Sequence, residues 1–348
     1  MSANESKLAA SKSLLRMKKD NHILTIIALM LLVCIIMLIL KPGSYFTVLN
    51  VRSMIFQFPE YGVLALGMMA CMIAGGIDLS LVGIMNLSGV LAALIVKNMV
   101  LIEGGEVANP AMVVPAIVLA CVVAVVVGAA CGAFNGFIIG YFGLPAMLVT
   151  LCGLQLYTGL AYGITGGPAI NGMCDAFKNI ANGTVAGIPY VLFIFIAVVA
   201  VVVFIMKCTV FGHEIYFLGS NAQAAMYSGI NTLKVTIMTY MFSGILGGIS
   251  GILITSHLNS AKSSNGSTYT LLSLLIVVLG GVHPDGGKGR VAGVVLAVLL
   301  LQMIANAFGL MHMSDNAKTF ANGCLLIAAL VLSVVLEKRE AQKAAAAS

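Results

Sequence analysis

The residues of this sequence that could do chemistry are polar side chains placed inside or between long apolar runs. The clearest case is segment 75–80, Gly-Gly-Ile-Asp-Leu-Ser, which joins two apolar runs with almost no polar spacer. Two adjacent glycines permit irregular backbone, which is tolerated at membrane depth only where protein or a wet cavity satisfies it. Asp78 therefore needs partners or water. Either Asp78 or Ser80 caps the next helix, or both line a path for a polar solute, and the two roles can coexist.

Neutral amides inside other apolar runs extend this set. Besides Asp78 and Ser80, the candidate residues for a translocation pathway are Asn86, Asn135, Gln155 and Asn306. An unpaired amide in hydrocarbon is costly, so each must face water or another polar group, and hydrogen bonding between helices is the alternative role of each. We place no acid other than Asp78 clearly inside a span. The set therefore suits a neutral polyhydroxylated solute better than an ion.

The elements that must position these residues are membrane-spanning helices. Hydrophobic residues are 60% of the 348 and charged residues 9%, against roughly 45–50% and 25% in soluble domains. Alternating β-barrel patterning is absent. The sequence predicts an all-α, polytopic transmembrane helical bundle of about ten spans, with Gly-rich broken elements at 75–80 and 280–289. The predicted spans are 23–40, 53–74, 79–100, 112–140, 145–165, 188–206, 232–256, 269–282, 291–309 and 319–336.

Basic residues predict the orientation of the bundle. With the N-terminus inside, twelve of the eighteen Lys and Arg residues fall in inner segments and six in outer ones, which favours cytoplasmic termini. We divide the chain into an N-terminal cytoplasmic tail (1–22), a single membrane domain (23–336) and a C-terminal cytoplasmic tail (337–348). The positive charge faces membrane lipid and predicts no nucleic-acid partner. Eight cysteines at irregular spacing, without a CxxC pair, predict neither metal nor cofactor.

Two segments on the predicted cytoplasmic side have local signals of their own. In 211–231, Ser220 or Asn221 can cap a short helix over 222–227, and Gly229 can end it. This helix, rich in small residues, either seats in a groove on a soluble partner or is an ordinary loop helix. Segment 280–290 lacks the GxxxxGK[ST] spacing of a phosphate loop and predicts a tight turn. Its Gly-Gly pair matches the one at 75–76, through either an internal repeat or chance.

Four motifs in order, between about residue 45 and residue 336, resemble the permease subunits of ribose-type bacterial ABC importers, which serve ribose, galactosides, xylose and autoinducer-2. The motifs are 75–80, 144–153 (Leu-Pro-Ala-Met-Leu-Val-Thr-Leu-Cys-Gly), 219–230 (Gly-Ser-Asn-Ala-Gln-Ala-Ala-Met-Tyr-Ser-Gly-Ile) and 280–289. The sequence departs from the family pattern at Leu81-Val82 and at 272–277. Both departures fall near the expected pathway, so no particular sugar is carried over.

The resemblance implies a function and a set of partners. The chain would be a permease in the bacterial inner membrane that admits a monosaccharide or similar solute by alternating access. It would pair with a second permease chain, identical or not, and receive solute from an extracytoplasmic solute-binding protein. ATP hydrolysis would occur on a cytoplasmic ATP-binding subunit and not on this chain. The residues implied to couple to that subunit are Asn221, Ala222, Ala224, Ala225 and Gly229. An ion-coupled secondary carrier and a non-transporting membrane scaffold are the alternatives.

Overall fold

Long apolar α-helices make up nearly all of the structure. The computed structural model describes residues 23–100, 110–314, 316–327 and 331. The α-helices are α1 (Ile23–Leu40), α2 (Pro42–Tyr45), α3 (Val48–Ile73), α4 (Leu81–Val100), α5 (Val113–Phe142), α6 (Ala146–Thr165), α7 (Asp175–Asn182), α8 (Tyr190–Cys208), α9 (Val210–Ser220), α10 (Ala222–Tyr227), α11 (Thr232–Leu258), α12 (Tyr269–Leu279) and α13 (Val291–Leu310). In the described ranges, eight helices are long and apolar enough to cross a membrane. The predicted all-α membrane bundle is confirmed.

Nine of the ten predicted spans coincide with helices, but one of these helices, α12, ends at Leu279 instead of residue 282 and is too short to cross a membrane. The prediction of a span over 269–282 is wrong in length, because α12 has 11 residues and covers only about 16 Å, roughly half of a bilayer core. Only part of the tenth predicted span is described, and it is helical over 316–327. Both predicted tails, 1–22 and 337–348, lie outside the described residues.

Short antiparallel strand pairs fasten the loops at one end of the bundle. Strand β1 (Ile170–Asn171) pairs with β4 (Ser260–Ala261), with Ile170 opposite Ala261. Strand β2 (Thr184–Val185) pairs with β3 (Ile188–Pro189) between α7 and α8. Asn182 also donates hydrogen bonds to the carbonyl oxygens of Ser256 and His257, 3.1 Å away in each case. These contacts tie the loop of α7 to the end of α11.

The centre of the bundle is formed by α3, α4 and α11, which are mostly buried. Lipid tails are as apolar as leucine, so close packing holds such helices together more than the hydrophobic effect does. Helix α5 shows how this is achieved, since all its buried positions except Asn135 follow a four-residue spacing of small side chains: Ala116, Ala120, Ala124, Gly128, Gly132 and Gly136. A Cβ atom on Gly132 would overlap the carbonyl oxygen of Tyr240 on α11. Backbone therefore meets backbone along this contact.

Helices α3 and α12 end in the same way. Each end is a Schellman motif in which a glycine adopts the left-handed conformation, Gly75 at φ +88° and Gly281 at φ +79°. In both ends the amides of the two residues after the cap donate back to the last turn, namely Gly75 to Met72, Gly76 to Cys71, Gly281 to Val278 and Val282 to Val277. The two Gly-Gly pairs thus break the helices as predicted. An internal repeat stays a prediction.

Candidate functional site

The two glycine-rich broken elements, 75–80 (the first break) and 280–289 (the second break), are in direct contact. The amide of Gly287 donates a hydrogen bond to the carbonyl oxygen of Ile73, 2.8 Å away, at the end of α3. A Cβ atom on Gly286 would stand only 2.8 Å from the Cα atom of Gly75. The sequence predicted a tight turn over 280–290, and positive φ angles at Gly286 and Gly287 confirm it. The contact between the two breaks was not predicted.

Helix α9 ends at the same place. A Cβ atom on Gly219 would overlap the carbonyl oxygen of Ile73 and stand 2.6 Å from the amide nitrogen of Gly287. One turn earlier on α9, the hydroxyl of Tyr216 donates to the carbonyl oxygen of Gly289 over 3.0 Å. Three irregular segments therefore meet through their backbones. At Gly219 the contacts are between backbone atoms, so we expect a displacement of α9 to move both breaks.

Asp78 lies in the first break, two residues after Gly76, and is fully buried. Its Oδ1 atom accepts hydrogen bonds from the amide and the hydroxyl of Ser80, at 3.1 and 2.6 Å. Its Oδ2 atom accepts from the hydroxyl of Ser243 on α11, at 2.8 Å. Asp78 thus holds Ser80, the residue immediately before α4, and its role as a helix cap stays a prediction. These donors are neutral, so hydrogen bonding stabilises the carboxylate at this depth.

The network continues from Ser80 into α5 and α6. Asn135, also buried, donates to the Ser80 hydroxyl at 2.8 Å and accepts from the hydroxyl of Tyr157 at 2.8 Å. Thr150 on α6 donates to the carbonyl oxygen of Ile77 at 2.9 Å. Asp78, Ser80 and Asn135 are therefore brought together as a single hydrogen-bonded set. We call these three residues the Asp78 network. Asn135 lies on α5, Tyr157 connects the network to α6, and Ser243 connects it to α11.

Tyr240 adds an unused polar atom beside this network. Its hydroxyl is buried and has no hydrogen-bond partner among the described residues. A Cβ atom on Gly76 would overlap that hydroxyl, so the ring abuts the first break. An orphaned buried hydroxyl is unfavourable, and a small rearrangement or a polar guest would satisfy it. No group of three His, Cys, Asp or Glu residues in the described ranges could hold a metal ion.

Asn135 also reaches a groove on the outside of the bundle. The groove lies between α5 and α6, has a volume of about 490 Å³, and is lined by Asn135, Gly153 and apolar residues that include Leu148 and Leu156. Gln155 is exposed on the same helix as Leu148 and Leu156. Its amide is therefore outside the Asp78 network, on a surface that is otherwise apolar.

Two other predicted pathway residues lie apart from the Asp78 network. Asn86 on α4 is buried and donates to the carbonyl oxygen of Ser263 at 2.7 Å, while its own oxygen has no partner in the described structure. Asn306 on α13 exchanges two hydrogen bonds of 2.9 Å with Asn50 at the start of α3. Asn306 therefore forms an interhelical polar pair, the alternative role stated above, whereas Asn86 bonds the loop between β4 and α12.

The predicted short helix after α9 is present as α10. Its N-cap is Asn221, whose side-chain oxygen accepts from the amide of Ala224 at 2.9 Å. Its end is a Schellman motif: Gly229 has φ +84°, and the amide of Ile230 donates to the carbonyl oxygen of Ala225 at 3.1 Å. Both predicted caps are confirmed.

The side chains of α10 divide into one buried and several exposed positions. Ala225 is 3% exposed, so the expectation that it presents a small side chain to a partner is wrong; it packs inward instead. Ala222, Ala224, Met226 and Tyr227 face outward, and Tyr227 is 84% exposed. The outward face therefore combines small residues with a largely exposed aromatic side chain.

A second buried polar group was missed by the sequence analysis. Glu60 lies in the middle of α3, is 2% exposed, and pairs with Nδ1 of His257 at the end of α11. The hydroxyl of Tyr269 donates to its other oxygen at 3.1 Å. The expectation that Asp78 is the only acid inside a span is therefore wrong. The sequence did contain a signal for this pair, because Glu60 lies within one apolar run and His257 lies at the end of another.

Comparison with known proteins adds an independent line of evidence. Residues 50–330 match the family described as branched-chain amino acid transport system / permease component. The ribose import permease protein RbsC of Haemophilus influenzae is 32% identical over 309 residues, which cover 88% of this chain and 90% of that protein. The L-arabinose transport system permease protein AraH of Escherichia coli is 26% identical and covers 90% of each chain. The autoinducer 2 import system permease protein LsrD of Photorhabdus temperata is 30% identical and covers 81% and 83%. No solved structure matches significantly.

Proposed function

Because the chain belongs to the branched-chain amino acid transport system / permease component family, we propose that it imports a monosaccharide or a similar small polar solute as the transmembrane subunit of an ATP-binding-cassette importer. The names of its relatives, which refer to ribose, L-arabinose and autoinducer 2, support this class of solute. The neutral amides and hydroxyls of the Asp78 network suit a polyhydroxylated molecule. The chain is a multi-pass protein of the inner membrane, and both of its termini are cytoplasmic.

The observation that carries this proposal is the contact of α9 with both breaks. Helix α10 docks on a cytoplasmic ATP-binding subunit through its exposed face, where Tyr227 supplies an aromatic anchor. When ATP draws two such subunits together, α10 and α9 move with them. Gly219 then displaces the end of α3 and the turn at Gly287, against which it packs. The Asp78 network changes partners as a consequence, which converts the permease between outward-facing and inward-facing states.

A second permease chain completes the pathway. An exposed amide such as Gln155 is unfavourable against lipid, and it lies beside a groove that leads to Asn135. A second chain covering α6 would enclose Gln155 and the groove between the two subunits. Solute would then pass along this interface and contact the Asp78 network through Asn135. On the opposite side of the membrane from α10, the loops around α7 receive the solute-binding protein.

The docking of α10 can be tested in membrane vesicles. Purified cognate ATP-binding subunit should bind inside-out vesicles that contain the protein, and should not bind right-side-out vesicles, because α10 is cytoplasmic. Ala224→Glu places a charge at an exposed position of the docking face and should lower binding by at least tenfold, since the charge would be buried unpaired. Ala176→Glu, at an exposed position of the short helix α7, is the matched control and should bind like the parent. Equal binding by Ala224→Glu and the parent would contradict the proposal.

One observation favours a second candidate function. Glu60, which is buried within α3, pairs with the partly exposed His257 at the end of α11, and paired titratable groups in membrane helices are a feature that proton-coupled carriers use. A secondary carrier built on this pair would need no ATP-binding subunit. It would therefore transport in liposomes that contain the chain alone, and the importer proposed here would not.

A further inference from the structure

A cavity of about 900 Å³ lies where α8 ends, α9 passes and α13 begins. Its walls on one side are apolar and come from Val199 and Val203 of α8 and from Val295 and Leu296 of α13. The first described residue of α1, Ile23, closes another side. Two apolar spans and the beginning of a third therefore frame one cleft. A cleft with such walls is suited to a hydrocarbon chain.

The other part of the cavity is polar and positively charged. Lys207 and Arg290 line it together with His213 and Tyr216. Lys207 is exposed near the end of α8, and Arg290 immediately precedes α13. Burial raises the pKa of the Tyr216 hydroxyl, and the positive charge of the Arg290 guanidinium lowers it. Glu214, which lies on α9 with His213 and Tyr216, does not line the cavity.

The start of α13 adds backbone donors to these charges. Val291 and Ala292 form its first turn and also line the cavity. The first amides of a helix have no partner within the helix, and they favour a bound phosphate. Arginine, lysine and free amides at a single end of a cleft match the chemistry of a phosphodiester.

The position of the charges in the sequence sets their depth in the membrane. Both Lys207 and Arg290 stand at the ends of long apolar helices, where a chain leaves the hydrocarbon core and meets the headgroups. The apolar walls extend from this level back into the spans, since Val199 is two turns before Lys207 and Val295 more than a turn after Arg290. Charge at headgroup depth and apolar walls at acyl depth describe a phospholipid in its normal orientation.

We infer that this cavity binds one anionic phospholipid from the adjoining leaflet, with its phosphate on Lys207, Arg290 and the first turn of α13, and an acyl chain along α8 and α13. In the orientation proposed above this is the cytoplasmic leaflet. The lipid would fill the cleft between α1, α8 and α13. It would pack against α9, which contacts both breaks through Gly219. The inference concerns the chain alone and needs neither solute nor ATP-binding subunit, so it can fail without affecting the proposed function.

Lipid titration followed by native mass spectrometry tests the site on the full-length chain in detergent. The probes are palmitoyl-oleoyl-phosphatidylglycerol and the corresponding zwitterionic phosphatidylcholine. The parent should retain one phosphatidylglycerol in clear preference to phosphatidylcholine. The double variant Lys207→Gln/Arg290→Gln should bind phosphatidylglycerol about 30-fold more weakly, since each charge near a membrane surface contributes about 1 kcal/mol. Lys262→Gln, which removes an exposed lysine from the loop between α11 and α12, should change nothing.

Two further variants test the apolar wall of the cavity and the basic N-terminal segment separately from Lys207 and Arg290. Val203→Trp should lower retention of phosphatidylglycerol while leaving every charge in place. Replacing Lys7, Lys12, Arg16, Lys18 and Lys19 with glutamine should leave most of the binding intact. Equal binding by the parent and the Lys207→Gln/Arg290→Gln variant would overturn the inference. So would equal retention of the two lipids by the parent, or a loss confined to the variant of the N-terminal lysines and arginine.

Discussion

At the scale of single residues, the molecule keeps a carboxylate at membrane depth by supplying neutral hydrogen-bond donors. Asp78 accepts from Ser80 twice and from Ser243 once. Hydrogen bonds to a charged group contribute about 1.5–3 kcal/mol each, which offsets part of the cost of burial. The same arrangement makes Asp78 sensitive to small movements, because one partner, Ser80, precedes α4 and the other, Ser243, lies on α11.

We predict that Asp78→Asn lowers uptake by about tenfold while the protein stays folded in the membrane. Asparagine keeps one acceptor for the Ser80 amide, so the local turn before α4 survives. Its amide group cannot accept the hydrogen bond that Ser243 or Ser80 now donates, and the rearrangement between states is therefore impaired. Uptake in whole cells, normalised to membrane-inserted protein, is the measurement. Uptake equal to that of the parent would leave Asp78 with a capping role only.

Sequence alone marked Asp78 and Ser80 as candidate residues, and it predicted neither their contact with each other nor the distant part of this network. Each was a candidate cap of the next helix, whereas the hydrogen bonds run between the two residues themselves. Ser243 lies 165 residues away, and nothing in its apolar surroundings distinguishes it from other serines in spans. Glu60 was missed for the same reason, since its partner His257 lies 197 residues later.

At the scale of elements, helix ends were predicted better than helix contacts. Both ends of α10 were predicted from Asn221 and Gly229, because helix capping depends on a few adjacent residues. The length of α12 was overestimated because hydropathy continues through Gly280, although the same Gly-Gly signal had been used correctly at 75–76. The small-residue face of α5 was not recognised, and it determines how closely α5 and α11 approach.

We predict that Gly132→Val prevents normal packing of α5 on α11. Any Cβ atom there overlaps the carbonyl oxygen of Tyr240, and the backbone of a packed bundle cannot retreat without losing its neighbouring contacts. The variant should lower the yield of monodisperse protein at least fivefold and reduce its thermal midpoint in detergent.

The matched control is Gly159→Val on α6, where a Cβ atom would meet nothing within 4 Å. This variant should purify and unfold like the parent. If Gly132→Val behaves like Gly159→Val, the close approach of α5 and α11 does not hold the bundle together.

At the scale of the whole molecule, a single chain leaves its proposed pathway open to the side. The groove beside Asn135 and the exposed Gln155 are on the same surface, which also carries the exposed Cys152. A second copy covering α6 would bring its own Cys152 near this one. Such an arrangement explains why a bundle whose core is otherwise well packed presents an amide outward.

We predict that oxidation of membranes links two chains through Cys152. The species should run at twice the mass of the chain on a non-reducing gel and disappear on reduction. Cys152→Ala should abolish it, whereas Cys208→Ala, which removes an exposed cysteine at the end of α8, should not. Failure of the parent to form the linked species, in membranes that support uptake, would contradict a second chain on α6.

The most direct test of the account is transport in liposomes that contain the purified chain with and without its ATP-binding subunit. Uptake from a panel that includes ribose and L-arabinose should require the ATP-binding subunit, ATP on its side of the membrane and the loaded solute-binding protein. It should fall to background when the chain carries Ala224→Glu. Transport by the chain alone, at a rate unaffected by ATP and by Ala224→Glu, would contradict the claim that α10 couples this permease to ATP hydrolysis.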